Sequence, residues 1–125
     1  MIDTTKFKPL KNRWQDIFKH LENKGYVVYS SGVKLGDCTF KYLVVKFEGS
    51  TRLAGISTND DLYSVLCYVP QQNYSELDSF VQDVRRDMKE LEPMILPYGS
   101  NLPAYYDDAV HAHYVALEFK NHKKL

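Results

Sequence analysis

The hydrophobic and polar positions of the chain fall into blocks of two periods. Residues 62–69 put Leu62, Leu66 and Tyr68 on one face and Tyr63, Val65, Cys67 and Val69 on the other, interrupted only by Ser64. Both faces are mostly apolar, which predicts an inner strand covered on both sides. Pro70 has no N–H to give to a ladder and predicts the exit from the sheet. Beyond it Leu77, Phe80, Val81, Val84, Met88 and Leu91 recur every three or four residues, while Arg85, Arg86, Lys89 and Glu90 fall mostly opposite, as in an amphipathic helix. Ser75 stands at the predicted N-cap, and Glu76 and Asp78 suit the positive end of the helix dipole. Pro93 ends the helix, because the residue before a proline is pushed out of the helical region.

The same reading covers the rest of the chain. Leu10, Trp14, Ile17, Phe18 and Leu21 make one helical face, with Lys24 and Gly25 at its C-terminal end. Residues 26–29 (YVVY) predict a short strand, and the SSGVKLGDC that follows reads as a loop or a loose edge hairpin. Residues 42–47 predict a strand with Leu43, Val45 and Phe47 on one face and Tyr42 and Val44 on the other. Between it and the strand at 62–69 lie the 11 residues 49–59, long for a hairpin loop. This loop carries Arg52, Leu53 and Ile56, which either pack back on their own sheet or dock another copy of the chain. The stretch 93–109 has three prolines and no sustained period, so it is either a functional loop or hides a short element. Residues 110–120 predict a last strand in which His111, His113, Val115, Leu117 and Phe119 share a face. The order is helix, three strands, helix, strand. It predicts an α+β domain with a mostly antiparallel or mixed four-stranded sheet packed with two main helices.

Composition narrows this picture. A chain of 125 residues suits one domain, since neither half would hold a core. Residues 1–9 are expected to form a flexible or partner-dependent arm, and 120–125 a short basic tail. The 16 basic and 16 acidic residues cancel, so no global field draws in nucleic acid or an anionic membrane. Cys38 and Cys67 lack C-x-x-C spacing and are expected as reduced thiols. Neither a signal-peptide pattern nor an apolar run of membrane-spanning length occurs in the sequence, and a soluble product is expected. Ten tyrosines suit protein interfaces, and equally the surface of a sheet.

Chemistry has one candidate cluster. Asp107, His111 and His113 are weak candidate metal ligands: imidazoles at i and i+2 of a strand point the same way, and a carboxylate from the preceding loop would be the third ligand. Against this, the histidines share their face with Leu117 and Phe119, and the preferred reading is that Asp107 and Asp108 are turn residues and the histidines partly exposed strand positions. The serines lack the G-x-S-x-G context, and no glycine pattern makes a phosphate-binding loop. Arg85, Arg86 and Lys89 are interleaved with acids, the pattern of a solvated face carrying ion pairs. No catalytic or cofactor-binding residue is predicted.

The order and local wording of these elements resemble those of the tail terminator (tail completion) proteins of long-tailed bacteriophages and prophages. The resemblance runs from a first helix with Trp14 that ends at Gly25, through the strand 42–47 and LYSVLCYVP at 62–70. It continues over the helix opened by YSELDSFV at 74–81, PMILP at 93–97, YYDD at 105–108 and a last strand with a basic tail. It implies a virion protein without cofactor, forming a ring, typically of six subunits, that caps the head-proximal end of the tail tube. Such a ring stops tail polymerisation and joins the tail to the head connector. The implied partners are other copies of the chain, the major tail tube protein and the head connector, with DNA passing through unread and no membrane involved. If the chain forms such a ring, the long hairpin loop, the tyrosines and the termini are expected to make the subunit and tube contacts, through Arg52, Leu53, Ile56, Tyr98, Tyr105, Lys123 and Lys124. Two readings compete with it. One is a small metal-dependent hydrolase or nuclease built on Asp107, His111 and His113; the other is a phage-encoded inhibitor or binding module.

Overall fold

The third strand, β3 (Thr58–Pro70), is the axis of the sheet. It pairs antiparallel with β2 (Tyr42–Arg52) on one side and with β6 (Ala112–Lys124) on the other. The computed structural model describes residues 13–34, 36–52, 58–98 and 103–124, and for 51, 52, 58, 59 and 122–124 the backbone alone. The architecture of the described residues is α+β: a mixed sheet of six strands, against the four expected, and two main helices, α1 (Trp14–Asn23) and α2 (Leu77–Met88), roughly in the expected order. Among the described residues no helix is long and apolar enough to cross a membrane.

Two of the six strands come from the proline-rich stretch. β4 (Leu96–Pro97) and β5 (Tyr105–Asp107) both pair with the outer edge of β6. At two and three residues they are too short to show a period. β1 (Val28–Ser30) runs parallel to β2 with Val28 opposite Leu43, so of the two readings of the glycine-bearing segment the loop holds and the edge hairpin does not: 31–41 is a crossover strap. A parallel neighbour demands such a return path.

The hairpin of β2 and β3 is longer than its pattern suggested. Most of the supposed loop 49–59 is ladder, with Ser50 opposite Asp61 and Arg52 opposite Asn59, which leaves only 53–57 between the strands. The period is hidden by a β-bulge: Phe47 faces Tyr63 but Gly49 faces Leu62, so Glu48 is the extra residue and the side-chain alternation changes phase there. Gly49 adopts φ +103°, a conformation that a side chain would strain. The expected basic tail likewise lies in the sheet, because β6 continues to Lys124, opposite Thr58.

Among the described residues both helices lie on one face of the sheet. Ile17 and Leu21 of α1 and Phe80, Val84 and Met88 of α2 form a single core with Leu43, Val45, Val65, Cys67, Leu117 and Phe119. On the other face Leu62, Leu66 and Tyr68 are half-buried, and no helix lies over them among the described residues. This corrects the expectation of a strand covered on both sides. The Ser75 cap is also corrected. A 3-10 segment, Gln71–Glu76, precedes α2, the N-cap is Glu76, and no side chain caps the helix. Instead Ser79 Oγ donates to the Glu76 carbonyl at 3.1 Å. At the other end the helix tightens into a turn at Lys89–Leu91 and Glu92 is extended, as Pro93 requires.

α1 is pinned at both ends. Trp14 Nε1 donates to the Val45 carbonyl at 2.9 Å, and Gly25 takes φ +94° just past the last turn, the usual helix stop. Leu10 lies outside the described residues. The two helices are latched by Asp87, whose carboxylate accepts from the Tyr26 hydroxyl at 2.6 Å while its carbonyl meets His20 Nε2 at 2.7 Å. Burial pushes the Asp87 carboxyl up, but the Tyr26 hydroxyl and the Arg86 guanidinium outweigh it and hold the group below its usual range. The sign follows: a carboxylate lowered by folding stabilises above its unfolded pKa, and that contribution disappears as pH falls through the folded value. A hydrogen bond to a charged group is worth about 1.5–3 kcal/mol. Asp87→Asn should therefore lower the urea midpoint at neutral pH and flatten the loss of stability on acidification. An unchanged acid slope in the variant would rule out this role.

Candidate interaction surface

The face of the sheet without helices is built in rows, because registers bring every second residue of β2, β3 and β6 side by side. The first row is Tyr42, Tyr68 and Tyr114. Their rings stack with centroids 5.0 Å apart in both pairs and interplanar angles of 14° and 23°. Tyr29 meets Tyr42 edge-on at 5.3 Å and Tyr105 reaches Tyr114 at 5.8 Å, so the ladder spans the sheet. Burial and the nearby Asp107 push the Tyr68 phenol up to about 12. The second row is Val44, Leu66 and Ala116, all half-buried, and the third is Lys46, Ser64 and Glu118. Leu62 and Lys120 form the fourth. Glu48 joins them at its β2 end, 3.8 Å from Lys46.

The strap 31–41 covers one end of this face. Cys38 donates its backbone N–H to the Val110 carbonyl at 2.7 Å and forms a small second core with Tyr42 and Ala112. Phe40 lies 6.4 Å from the Tyr42 ring and Lys34 Nζ 5.7 Å above it. Two shallow grooves flank what is left open. One, of about 250 Å³, runs along Val44, Lys46, Leu66 and Tyr68; the other, of about 270 Å³, along Leu62, Ser64, Ala116 and Glu118. On the helix side a wider cleft of about 560 Å³ lies between α2 and the β5–β6 edge, lined by Tyr74, Asp78, Val81, Arg85 and Val115.

The candidate metal ligands do not converge. His111 is not on the strand: it sits in the turn before β6 with φ +51°, and its Nδ1 lies 2.8 Å from Asp37 of the strap. That hydrogen bond raises the imidazole above its ordinary pKa. His113 is held elsewhere, between the rings of Tyr74 at 4.6 Å and Tyr106 at 5.1 Å. Asp107 accepts the Ala109 N–H at 3.0 Å, which is the turn role. Among the described residues no group of three or more His, Cys, Asp or Glu side chains is placed to share a metal ion.

The residues assigned to subunit contacts are spread over one end and one edge of the sheet. Arg52 and Lys123 are brought to the same end by the register through Asn59, with Lys124 beside them. Leu53 and Ile56 lie outside the described residues. Tyr98 is exposed just beyond β4, with Lys120 Nζ 5.9 Å from its ring centroid. Tyr105 is exposed on β5. Sequence reasoning missed the rows of the open face. Each strand showed its alternation, but which residues lie side by side is a property of register. The chain matches no family model, and no curated protein matches it.

Proposed function

We propose that the protein is a structural subunit of a phage tail, a terminator that closes the head-proximal end of the tail tube as a ring of identical copies. The observation that carries this reading is the far end of the sheet. There β2, β3 and β6 continue as a three-stranded ladder beyond the apolar rows, to Arg52, Asn59 and Lys123. Helix-facing positions on this extension are polar: Asp61 and Asn121 are both buried, and Ser50 donates to the Asp61 carboxylate. An extension of this kind adds nothing to the hydrophobic core and holds Arg52, Lys123 and Lys124 on a stiff frame. In a ring each subunit presents one patch to a different patch of the next, and this extension is a candidate for one of them.

The ring would contact the tail tube protein on one side and the head connector on the other. Balanced charge suits a pore through which DNA passes without being held. The test mixes the protein with tubes polymerised from a major tail tube protein of a long-tailed phage, followed by electron microscopy and cross-linking. Caps on one tube end, and closed cross-linked rings, are expected. Free protein beside unmodified tubes would overturn the reading. Arg52→Glu should abolish capping while the thermal melt stays within a few degrees.

A further inference from the structure

We propose that the open face of the sheet pairs with the same face of a second copy, about a twofold axis parallel to β3. This goes beyond the ring reading and does not rest on it, since a ring uses head-to-tail contacts and this pairing is isologous. The case rests on how charge is distributed about the central strand. In the third row Lys46 lies on the β2 side of Ser64 and Glu118 on the β6 side. In the fourth row the signs are reversed, with Glu48 on the β2 side of Leu62 and Lys120 on the β6 side.

A half-turn about a line above β3 and parallel to it exchanges the two sides and keeps each row level with itself. Lys46 then stands over Glu118 of the second copy, and Glu118 over its Lys46. Glu48 and Lys120 meet their opposites in the same way, so four ion pairs close at once. The apolar residues obey the same operation: Leu66 faces Leu66, Tyr68 faces Tyr68, and Val44 fills the space above the small Ala116. A half-turn about an axis across the strands would also match charges if it passed between the third and fourth rows. It would carry the tyrosine and valine rows off their counterparts, and it is therefore disfavoured.

The dimensions permit the contact. Packed sheets lie about 10 Å apart, a gap that Lys and Glu side chains bridge from opposite walls. The twofold axis keeps the two central strands parallel, within the roughly 30° that aligned sheet packing spans, so each row stays level with its counterpart. The strap crosses the Tyr42 end of the sheet to the turn before β6, where Cys38 meets Val110 and Asp37 meets His111, so in the pair the two straps stand level with each other at that end and the close contact is made by the second to fourth rows. Four strands of about seven residues cover roughly 19 by 23 Å. That is small for a specific interface, so the pair is reversible and weakened by salt.

Sedimentation velocity on the full chain, at low salt and up to about 1 mM, tests this. Wild-type protein should show a concentration-dependent monomer–dimer equilibrium. Lys46→Glu and Glu118→Lys, each alone, should weaken it at least tenfold, because each sets like charges face to face. The decisive measurement is an equimolar mixture of the two variants, in which every altered residue again meets its opposite and dimers should return. Lys46 is exposed and Glu118 half-buried, and circular dichroism would verify that each variant is folded. A wild type that stays monomeric throughout, single variants that associate as before, or a mixture that stays monomeric would each overturn the proposal. None of these results bears on tube capping, which is read separately.

Discussion

Phe80→Ala is expected to remove about 3–5 kcal/mol of stability, a large share of the roughly 5–15 kcal/mol that holds a typical domain folded. Phe80 is 2% exposed and lies in the middle of the α2 face that covers the sheet. Its ring meets Tyr26 at 6.0 Å, and Lys41 Nζ lies 5.3 Å from its centroid on the solvent side. Truncation would open a void between α2, the Tyr26 turn and the sheet. The Tyr26–Asp87 hydrogen bond borders that void, so latch and packing should weaken together. Urea denaturation followed by tryptophan fluorescence measures the effect, because Trp14 is tied to β2. Ser75→Ala is the control. As a helix cap Ser75 would be worth about 1 kcal/mol, but it is exposed within the 3-10 segment, and the change should be within about 0.5 kcal/mol. Equal losses from the two substitutions would contradict this account of how α2 is held.

That contrast marks where the sequence could be read. The two helices, the central strand and the α+β order were visible because apolar residues at helical spacing must face a core, and an apolar run ending in proline has few other places to go. What escaped was set by partners distant in sequence. The parallel pairing of β1 depends on where the strap returns, and β4 and β5 exist only because β6 offers them an edge. The phase change at Glu48 turned the second half of β2 into an apparent loop. The candidate site shows the same limit. His111 and His113 are two apart in sequence, but the positive φ at His111 sends one to Asp37 of the strap and the other between Tyr74 and Tyr106. Conversely, Lys46, Glu48, Glu118 and Lys120 are unremarkable in sequence, and only the ladder arranges them with opposite signs across β3.

Tyr42→Ala is expected to separate the two hydrophobic layers of the molecule. Tyr42 is 2% exposed although it stands on the face without helices, because the strap closes over it and its ring stacks on Tyr68. Removing it should cost about 3 kcal/mol or more, but the loss belongs to the small core of Cys38, Tyr42 and Ala112, which is separate from the one beneath the helices. The consequence is local opening rather than global unfolding. The two cysteines report on the layers separately. Cys38 belongs to the strap and is buried between it and the sheet, and Cys67 is fully buried on the helix side, where burial pushes its thiol far up. In native buffer a thiol reagent should label Cys38 of the variant at least tenfold faster than in the wild type, as the opening equilibrium shifts. Cys67 should stay unreactive until the whole fold melts. Site-resolved mass spectrometry distinguishes the cases: labelling of both thiols at one common rate would mean that the strap and the helical layer open as a single unit, and the two-layer description would then be wrong.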